Sequence, residues 1–124
     1  MTLFINTTEQ EQLEFAIILA KKIHHFKKKI KYNESDHLAS KLLKLLSDKK
    51  LSLKKLDHII ICTGPGGFTS TRAGCAFGMG LAAGLSIKIL GIKKADLPAD
   101  IKDLEKSKLS KKIQIEYNRP AVSK

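Results

Sequence analysis

The stretch IIICTGPGGFTSTRAGCAFGMGLAAGL, residues 59–85, decides the expected fold of this chain. It opens on an apolar run without polar alternation, which is typical of a strand buried on both faces in a parallel sheet. A turn with three glycines follows, and then an apolar segment predicted to be a helix from about Thr69 to Leu85. The segment IKILGI at 87–92 reads as the next strand, so the order is a right-handed strand–helix–strand crossover.

Upstream, three segments predict an antiparallel meander. TLFIN (2–6) is a short apolar run, and LEFAIILA (13–20) is apolar on both faces, as in a central strand. FKKKIKY (26–32) alternates apolar residues with lysines, which is typical of an edge strand with one wet face. HLASKLLKLL (37–46) has leucines at helical spacing, with Ser35 or Asp36 as the candidate N-cap. We therefore expect a three-layer α/β domain with two main helices and a five-stranded mixed sheet in the order 3-2-1-4-5.

Length and composition narrow the class of protein. A chain of 124 residues is one domain by length, and its 43% apolar content is ordinary for a globular protein. No apolar run approaches the roughly 20 residues of a membrane span, and MTLFINTTEQ lacks the features of a signal peptide, so a cytoplasmic protein is expected. Cys62 and Cys75 fall in a predicted strand and helix, where reduced core thiols are usual.

Lysine dominates the charge of the chain. The formal net charge is +11, with 21 lysines but only two arginines. Such a balance favours RNA or another acidic partner. Dedicated nucleic-acid surfaces usually also carry arginine and stacking aromatics, yet tryptophan is absent and there are two tyrosines. Compositional drift toward lysine and a weak electrostatic contact with RNA therefore both stay open.

Several segments together resemble the TsaB (YeaZ) family, a branch of the actin-like ATPase fold. Its hallmark is a strand ending in Gly-Pro-Gly-Ser-Phe-Thr-Gly, then an arginine and a glycine two apart, and then an Ala/Gly-rich helix. The matching residues are Gly64, Pro65, Gly66, Phe68, Thr69, Arg72 and Gly74. INTTEQ (5–10) resembles the family's opening Asp-Thr-Ser turn, LSLKKLD (51–57) its Leu-x-x-Leu-Asp segment, and the residues around Tyr117 its closing segment.

The chain also departs from the family pattern. Asn6 stands where the opening turn has an acidic residue, Gly67 replaces a serine, and Ser70 replaces a glycine. The family has two actin-like (RNase H-like) halves. The resemblance implies that residues 1–95 correspond to the N-terminal half and that residues 96–124 are a reduced basic tail in place of the second.

The resemblance implies a part in making threonylcarbamoyladenosine (t6A) in tRNA. The expected role is a non-catalytic scaffold that pairs with a TsaD-like catalytic subunit through a helix bundle and supports a TsaE-like ATPase, with tRNA contacted only indirectly or weakly. The residues agree on the lack of catalysis: GPGGFTST has no P-loop lysine, Asn6 is no carboxylate, and no nucleophile triad is visible. No metal, cofactor or membrane is expected.

The glycines suggest two roles. Those of the turn favour a structural function, with an anion or nucleotide contact by Gly64, Gly66, Gly67 and Thr69 as the alternative. In the helix, two stripes of small residues have a spacing of four. One is Gly74, Gly78 and Ala82, and the other is Ala76, Gly80 and Gly84. Interior glycines each cost a helix roughly 1 kcal/mol relative to alanine. We therefore expect one stripe to lie on the sheet and the other to meet a partner.

The expected partner surface is an exposed apolar strip formed by both helices. It consists of Leu38, Leu42, Leu45, Arg72, Ala73, Phe77, Gly80 and Gly84. For Arg72, a structural bond within the chain is the alternative to a partner contact. A homodimer could occupy the same surface. Two rival readings remain: a small basic RNase H-like module that binds RNA through its Lys27–Lys31 face, and a degenerate homologue that only self-associates.

Overall fold

A five-stranded mixed sheet forms the centre of the protein. The computed structural model describes residues 1–9, 11–29 and 37–116. The strands are β1 (Thr2–Asn6), β2 (Gln12–Ile18), β3 (Ile23–Lys29), β4 (His58–Cys62) and β5 (Lys88–Ile92), and the helices are α1 (Leu38–Asp48) and α2 (Phe68–Leu85). The strand order is β3-β2-β1-β4-β5. β2 pairs with β1 and β3 antiparallel, while β4 pairs with β1 and β5 parallel. The predicted order 3-2-1-4-5 is thus confirmed.

The central strands are apolar on both faces because both faces of the sheet are covered. Leu3 of β1 lies beside Ile17 of β2 and Ile59 of β4, and these three side chains point to one face. Phe4 and Ile60 point to the other face. Each face has its own cluster of buried side chains. The uninterrupted apolar run of β4 is therefore the pattern of a doubly covered strand.

Both helices cover the first face. The leucines of α1 at positions 38, 42, 45 and 46 are buried in the same cluster as Cys75 and Ala82 of α2 and the first-face residues of the sheet. Their spacing of three and four residues places them on one side of α1. Neither of these helices is long and apolar enough to cross a bilayer, which holds for the described part of the chain.

The second face is covered by the segment that follows β5. Leu104, in a 3₁₀ helix at Ile101–Lys106, is fully buried in the cluster that contains Phe4 and Ile60. Further along, Ser110 pairs with Gly91 of β5, and Ile113 packs against the cluster on the helix side. Residues 101–116 thus cover the second face and continue past β5 to the first, which completes three layers. The division into 1–95 and 96–124 stays a prediction.

The edge strand β3 begins earlier than predicted, at Ile23 instead of 26. The cause is a tight connection, in which the Leu19 amide donates to the Lys22 carbonyl at 2.8 Å and Ile18 pairs directly with Ile23. The edge position itself is confirmed, and Lys27, Lys28 and Lys29 are exposed. Some predictions fall outside the described residues: those on Ile30 and Tyr32, the N-cap at Ser35 or Asp36, and the closing segment near Tyr117.

Both cysteines are buried free thiols, as predicted. The Cys75 thiol lies 3.7 Å from the Cys62 carbonyl oxygen, to which it donates. Burial raises the pKa of the Cys75 thiol from its ordinary 9.0 to about 11, and burial also raises the pKa of Cys62. Because the thiolate is the reactive form, both groups are poor nucleophiles in the folded protein.

We expect a thiol reagent at pH 8 to label the native protein only as fast as it unfolds, and to label both thiols at once in denaturant. Rapid labelling of one thiol in the native protein would contradict the burial. The folded pKa of Cys75 lies above the unfolded value, so its contribution to stability is complete below about pH 9 and falls as pH rises toward 11. Cys75→Ala should flatten the fall in unfolding free energy across that range.

Candidate functional site

Two turns meet at the carboxyl ends of the parallel strands β1 and β4. The first is the turn at residues 6–8, and the second is the glycine turn at 64–67. The Thr7 hydroxyl donates to the Ser70 carbonyl at 2.6 Å, and the Gly67 amide donates to the Thr8 carbonyl at 3.2 Å. The two turns are therefore hydrogen-bonded to each other.

The glycine turn needs residues without side chains because the backbone is crowded there. Gly64 has φ +110°, in the left-handed region, and a Cβ on it would meet the carbonyl of Glu116. A Cβ on Gly66 would lie 2.6 Å from the Thr8 carbonyl oxygen. These contacts favour the structural interpretation of the turn. Thr69 is exposed in the first turn of α2, and an anion contact by Gly64, Gly66, Gly67 and Thr69 remains a prediction.

Asn6 is the centre of a hydrogen-bond network in the first turn. Its Oδ1 accepts from the Thr8 amide at 3.0 Å and from the Thr8 hydroxyl at 2.7 Å, and its Nδ2 donates to Glu14 Oε1 at 3.1 Å. The other oxygen of Glu14 lies 2.5 Å from His25 Nε2. The carboxylate beside Asn6 thus already has a partner on each oxygen. Across the described residues, no group of three or more acidic, histidine or cysteine side chains could hold a metal ion.

A threonine, a histidine and a glutamate meet at the opposite end of the sheet. The Thr2 hydroxyl donates to Glu105 Oε2 at 3.0 Å, and His58 Nε2 lies 3.2 Å from both that hydroxyl and that carboxylate oxygen. Both contacts use the same ring nitrogen. In a hydrolase triad the histidine contacts nucleophile and carboxylate through different nitrogens. The contacts of this cluster therefore hold the 3₁₀ helix against the sheet. The sequence did not predict the cluster because its members are far apart in the chain.

The two small-residue stripes of α2 face opposite ways, as predicted. A Cβ on Gly78 would lie 2.6 Å from Ile61 Cγ2 of the sheet. A Cβ on Gly80 or Gly84 would meet nothing within 4 Å. From Arg72 to Gly84, the exposed residues of α2 recur at spacings of three and four, and Arg72 is the one that carries a charge. They are Arg72, Ala76, Met79, Gly80, Ala83 and Gly84.

The predicted partner residues divide into three groups. Leu38, Leu42 and Leu45 are 4%, 2% and 7% exposed, so the exposure expected of them is wrong. They are buried because α1 lies directly on the sheet. Ala73 and Phe77 are half-buried, and the Phe77 ring centroid lies 6.4 Å from that of Phe15.

The third group is exposed and consists of Arg72, Gly80 and Gly84. The Arg72 guanidinium carbon lies 5.3 Å from the ring centroid of the exposed Phe68, a cation–π contact within α2. Sequence analysis missed two exposed apolar side chains, Leu43 at 55% and Met79 at 45%. Leu43 could have been found, because it stands off the leucine stripe of α1.

Comparison with known proteins identifies the family. The chain matches the model of the family described as TsaD, tRNA N6-adenosine threonylcarbamoyltransferase, over residues 27–111. The chain belongs to this family. It is 28% identical over 78 residues to the tRNA threonylcarbamoyladenosine biosynthesis protein TsaB of Buchnera aphidicola, a match that covers 63% of the chain and 35% of that protein. The resemblance to the TsaB (YeaZ) branch is thus confirmed.

Solved structures of two proteins are similar to the fold of this chain. YeaZ from Pseudomonas aeruginosa is similar with a TM-score of 0.69 and 25% identity, over 77% of this chain and 44% of that one. RuvC from Thermus thermophilus, solved with a Holliday junction, has a TM-score of 0.51 at 9% identity, over 76% and 64% of the two chains. The second likeness shows the RNase H-like fold alone. The chain spans less than half the length of its TsaB and YeaZ relatives.

Proposed function

We propose that the protein is a non-catalytic scaffold subunit of the t6A modification machinery. It pairs with a TsaD-like catalytic subunit through α1 and α2, and the pair supports a TsaE-like ATPase. Membership of the TsaD family and the similarity to TsaB support the pathway. The observation that carries the scaffold role is the exposed side of α2.

That side of α2 has the composition of a buried surface. From Ala76 to Gly84 it presents small residues and Met79, with no charged side chain. A helix that is apolar all round is normally buried all round. Large apolar surfaces are rare on monomers and mark sites of protein contact. The exposed Leu43 of α1 adds to the apolar area on the helix layer.

The small residues specify a close helix–helix contact. Open space surrounds the Cβ positions of Gly80 and Gly84, so a partner helix can approach the α2 backbone. The role of Leu38, Leu42 and Leu45 is then indirect: they are buried under α1 and hold that helix on the sheet. Ala73 and Phe77 lie at the margin of the contact, and Arg72 lies at one end of it, where its guanidinium remains accessible.

The turns at the carboxyl ends of β1 and β4 support the lack of catalysis. Phosphoryl transfer needs groups that position phosphates and neutralise their charge. Here an amide, Asn6, stands in place of the carboxylate. Glu14 is hydrogen-bonded to Asn6 and His25, and the Gly67 amide donates to the Thr8 carbonyl. The polar groups of the two turns thus form hydrogen bonds within the protein instead of being free to bind a nucleotide.

Reconstitution tests this role. We expect the chain alone neither to hydrolyse ATP nor to form t6A, and we expect it to raise t6A formation when added to the TsaD-like and TsaE-like proteins of the same cell. Nucleoside analysis of the tRNA gives the readout, and the mixture without the chain is the control. ATP turnover by the purified chain that is lost on changing residues 64–69 would contradict the proposal.

The rival proposals predict different behaviour. A homodimer through the same α2 surface would sediment as a dimer alone and exchange partners when the catalytic subunit is added. An RNA-binding module is favoured by the exposed Lys27, Lys28 and Lys29 on the edge strand. It would bind RNA with an affinity that falls steeply as salt rises, and Gly80→Leu would not alter that affinity.

A further inference from the structure

A basic cavity lies beside β5, where the returning chain pairs with that strand. Its volume is about 280 Å³. Three lysines from two separate segments line it: Lys93, directly after β5, and Lys108 and Lys112 from the returning segment. Ser110 and Thr63 also contribute to its wall. None of these lysines has a part in the proposed pairing through α1 and α2.

The backbone holds the two segments together. The Gly91 amide donates to the Ser110 carbonyl at 2.7 Å, and the Ser110 amide donates to the Gly91 carbonyl at 2.9 Å. A Cβ on Gly91 would lie 3.0 Å from Thr63 Cγ2 and 3.1 Å from Ile113 Cδ1, so glycine permits this close approach. The Ser110 hydroxyl donates to the Lys112 carbonyl at 3.0 Å and accepts from the Lys112 amide at 3.1 Å. These bonds hold the backbone from Ser110 to Lys112 against β5, which Lys93 directly follows.

The cavity has an excess of positive charge. Asp96 is the acidic residue that lines it, against three lysines. Among residues 1–9, 11–29 and 37–116, no carboxylate oxygen lies within 4.0 Å of Lys93, Lys108 or Lys112. The neighbouring Lys94 differs, because it pairs with Glu9. Three like charges that share a single lining carboxylate favour an anion between them.

We propose that this cavity binds phosphate. The ligand is either a phosphate with two or more negative charges or a compound in which two phosphates lie close together. Three ammonium groups supply point charges and several N–H donors, which suit phosphate oxygens. The phosphate is either a small free one or part of a nucleic-acid backbone. The proposal does not depend on the scaffold role, because the cavity lies outside the α1 and α2 surface.

Titration with inorganic pyrophosphate tests the site, with chloride at matched ionic strength as the reference. We expect saturable binding at one site, with shifts of the amide resonances of Lys93, Ser110 and Lys112. The triple variant Lys93→Ala, Lys108→Ala, Lys112→Ala should bind about tenfold or more weakly, as expected for the loss of three exposed charge contacts. The matched control, Lys28→Ala, Lys54→Ala, Lys55→Ala, removes equal charge elsewhere and should change the affinity less than about twofold.

Asp96→Asn gives a second test with the opposite sign. Removing the lining carboxylate should tighten pyrophosphate binding by roughly twofold to fivefold, a gain that damage to the fold cannot imitate. A short single-stranded RNA distinguishes the sources: competition with pyrophosphate at these amides identifies a backbone phosphate, and its absence identifies a small free one. The proposal is overturned if pyrophosphate does not saturate, if both lysine triples lose equal affinity, or if Asp96→Asn weakens binding.

Discussion

Gly78→Leu is expected to unfold the domain or to lower its unfolding free energy by about 3 kcal/mol or more, as overpacking of a close contact does. The position of a Cβ on Gly78 is 2.6 Å from Ile61 Cγ2 and 3.3 Å from Ile5 Cδ1. Both isoleucine side chains are buried in the central strands β4 and β1, so they have little room to move. Urea denaturation followed by circular dichroism measures the loss.

Gly80→Leu is the matched control, two residues along the same helix. A Cβ there meets nothing within 4 Å, so the new side chain points into solvent. Leucine is a better helix former than glycine, and we expect the variant to be more stable by about 0.5–1 kcal/mol. Equal destabilisation by the two substitutions would show that the stripes of α2 do not face opposite ways.

The same Gly80→Leu variant is expected to bind the TsaD-like subunit at least about 30-fold more weakly, the effect of losing a central contact of about 2 kcal/mol or more. A leucine on the exposed stripe would hold the partner helix away from the α2 backbone. Since this variant should be at least as stable as the parent, the loss cannot come from unfolding. Ala99→Leu adds the same side chain at an exposed position outside both helices and should leave the affinity unchanged.

Local patterns predicted the sheet because the order of apolar and polar residues in each strand indicates which of its faces are buried. The apolar run Ile59–Cys62 is typical of a strand covered on both faces, and the lysines of β3 are typical of an edge strand. The division of the α2 stripes was also predictable. Glycines at a spacing of four in a helix require a close neighbour, and the second stripe lay on the opposite side of the helix.

The direction in which α1 faces could not be predicted from its own pattern. An amphipathic helix shows one apolar side, but nothing local says whether that side meets the sheet or another protein. The structure puts Leu38, Leu42 and Leu45 on the sheet, with Leu43 outside. The burial of Leu104 and the return of the chain to Gly91 are also contacts between distant segments. For the same reason, the basic cavity had no sequence pattern of its own.

Sedimentation velocity of the chain mixed with the TsaD-like subunit tests whether this protein is a scaffold that pairs through the outer side of α2. We expect a one-to-one complex for the parent chain and for Ala99→Leu, and separate components for Gly80→Leu at the same concentrations. Thermal melting of each variant in the same buffer confirms that all are folded. A complex that persists with folded Gly80→Leu, or no complex with the parent chain, would show that the outer side of α2 is not the pairing surface.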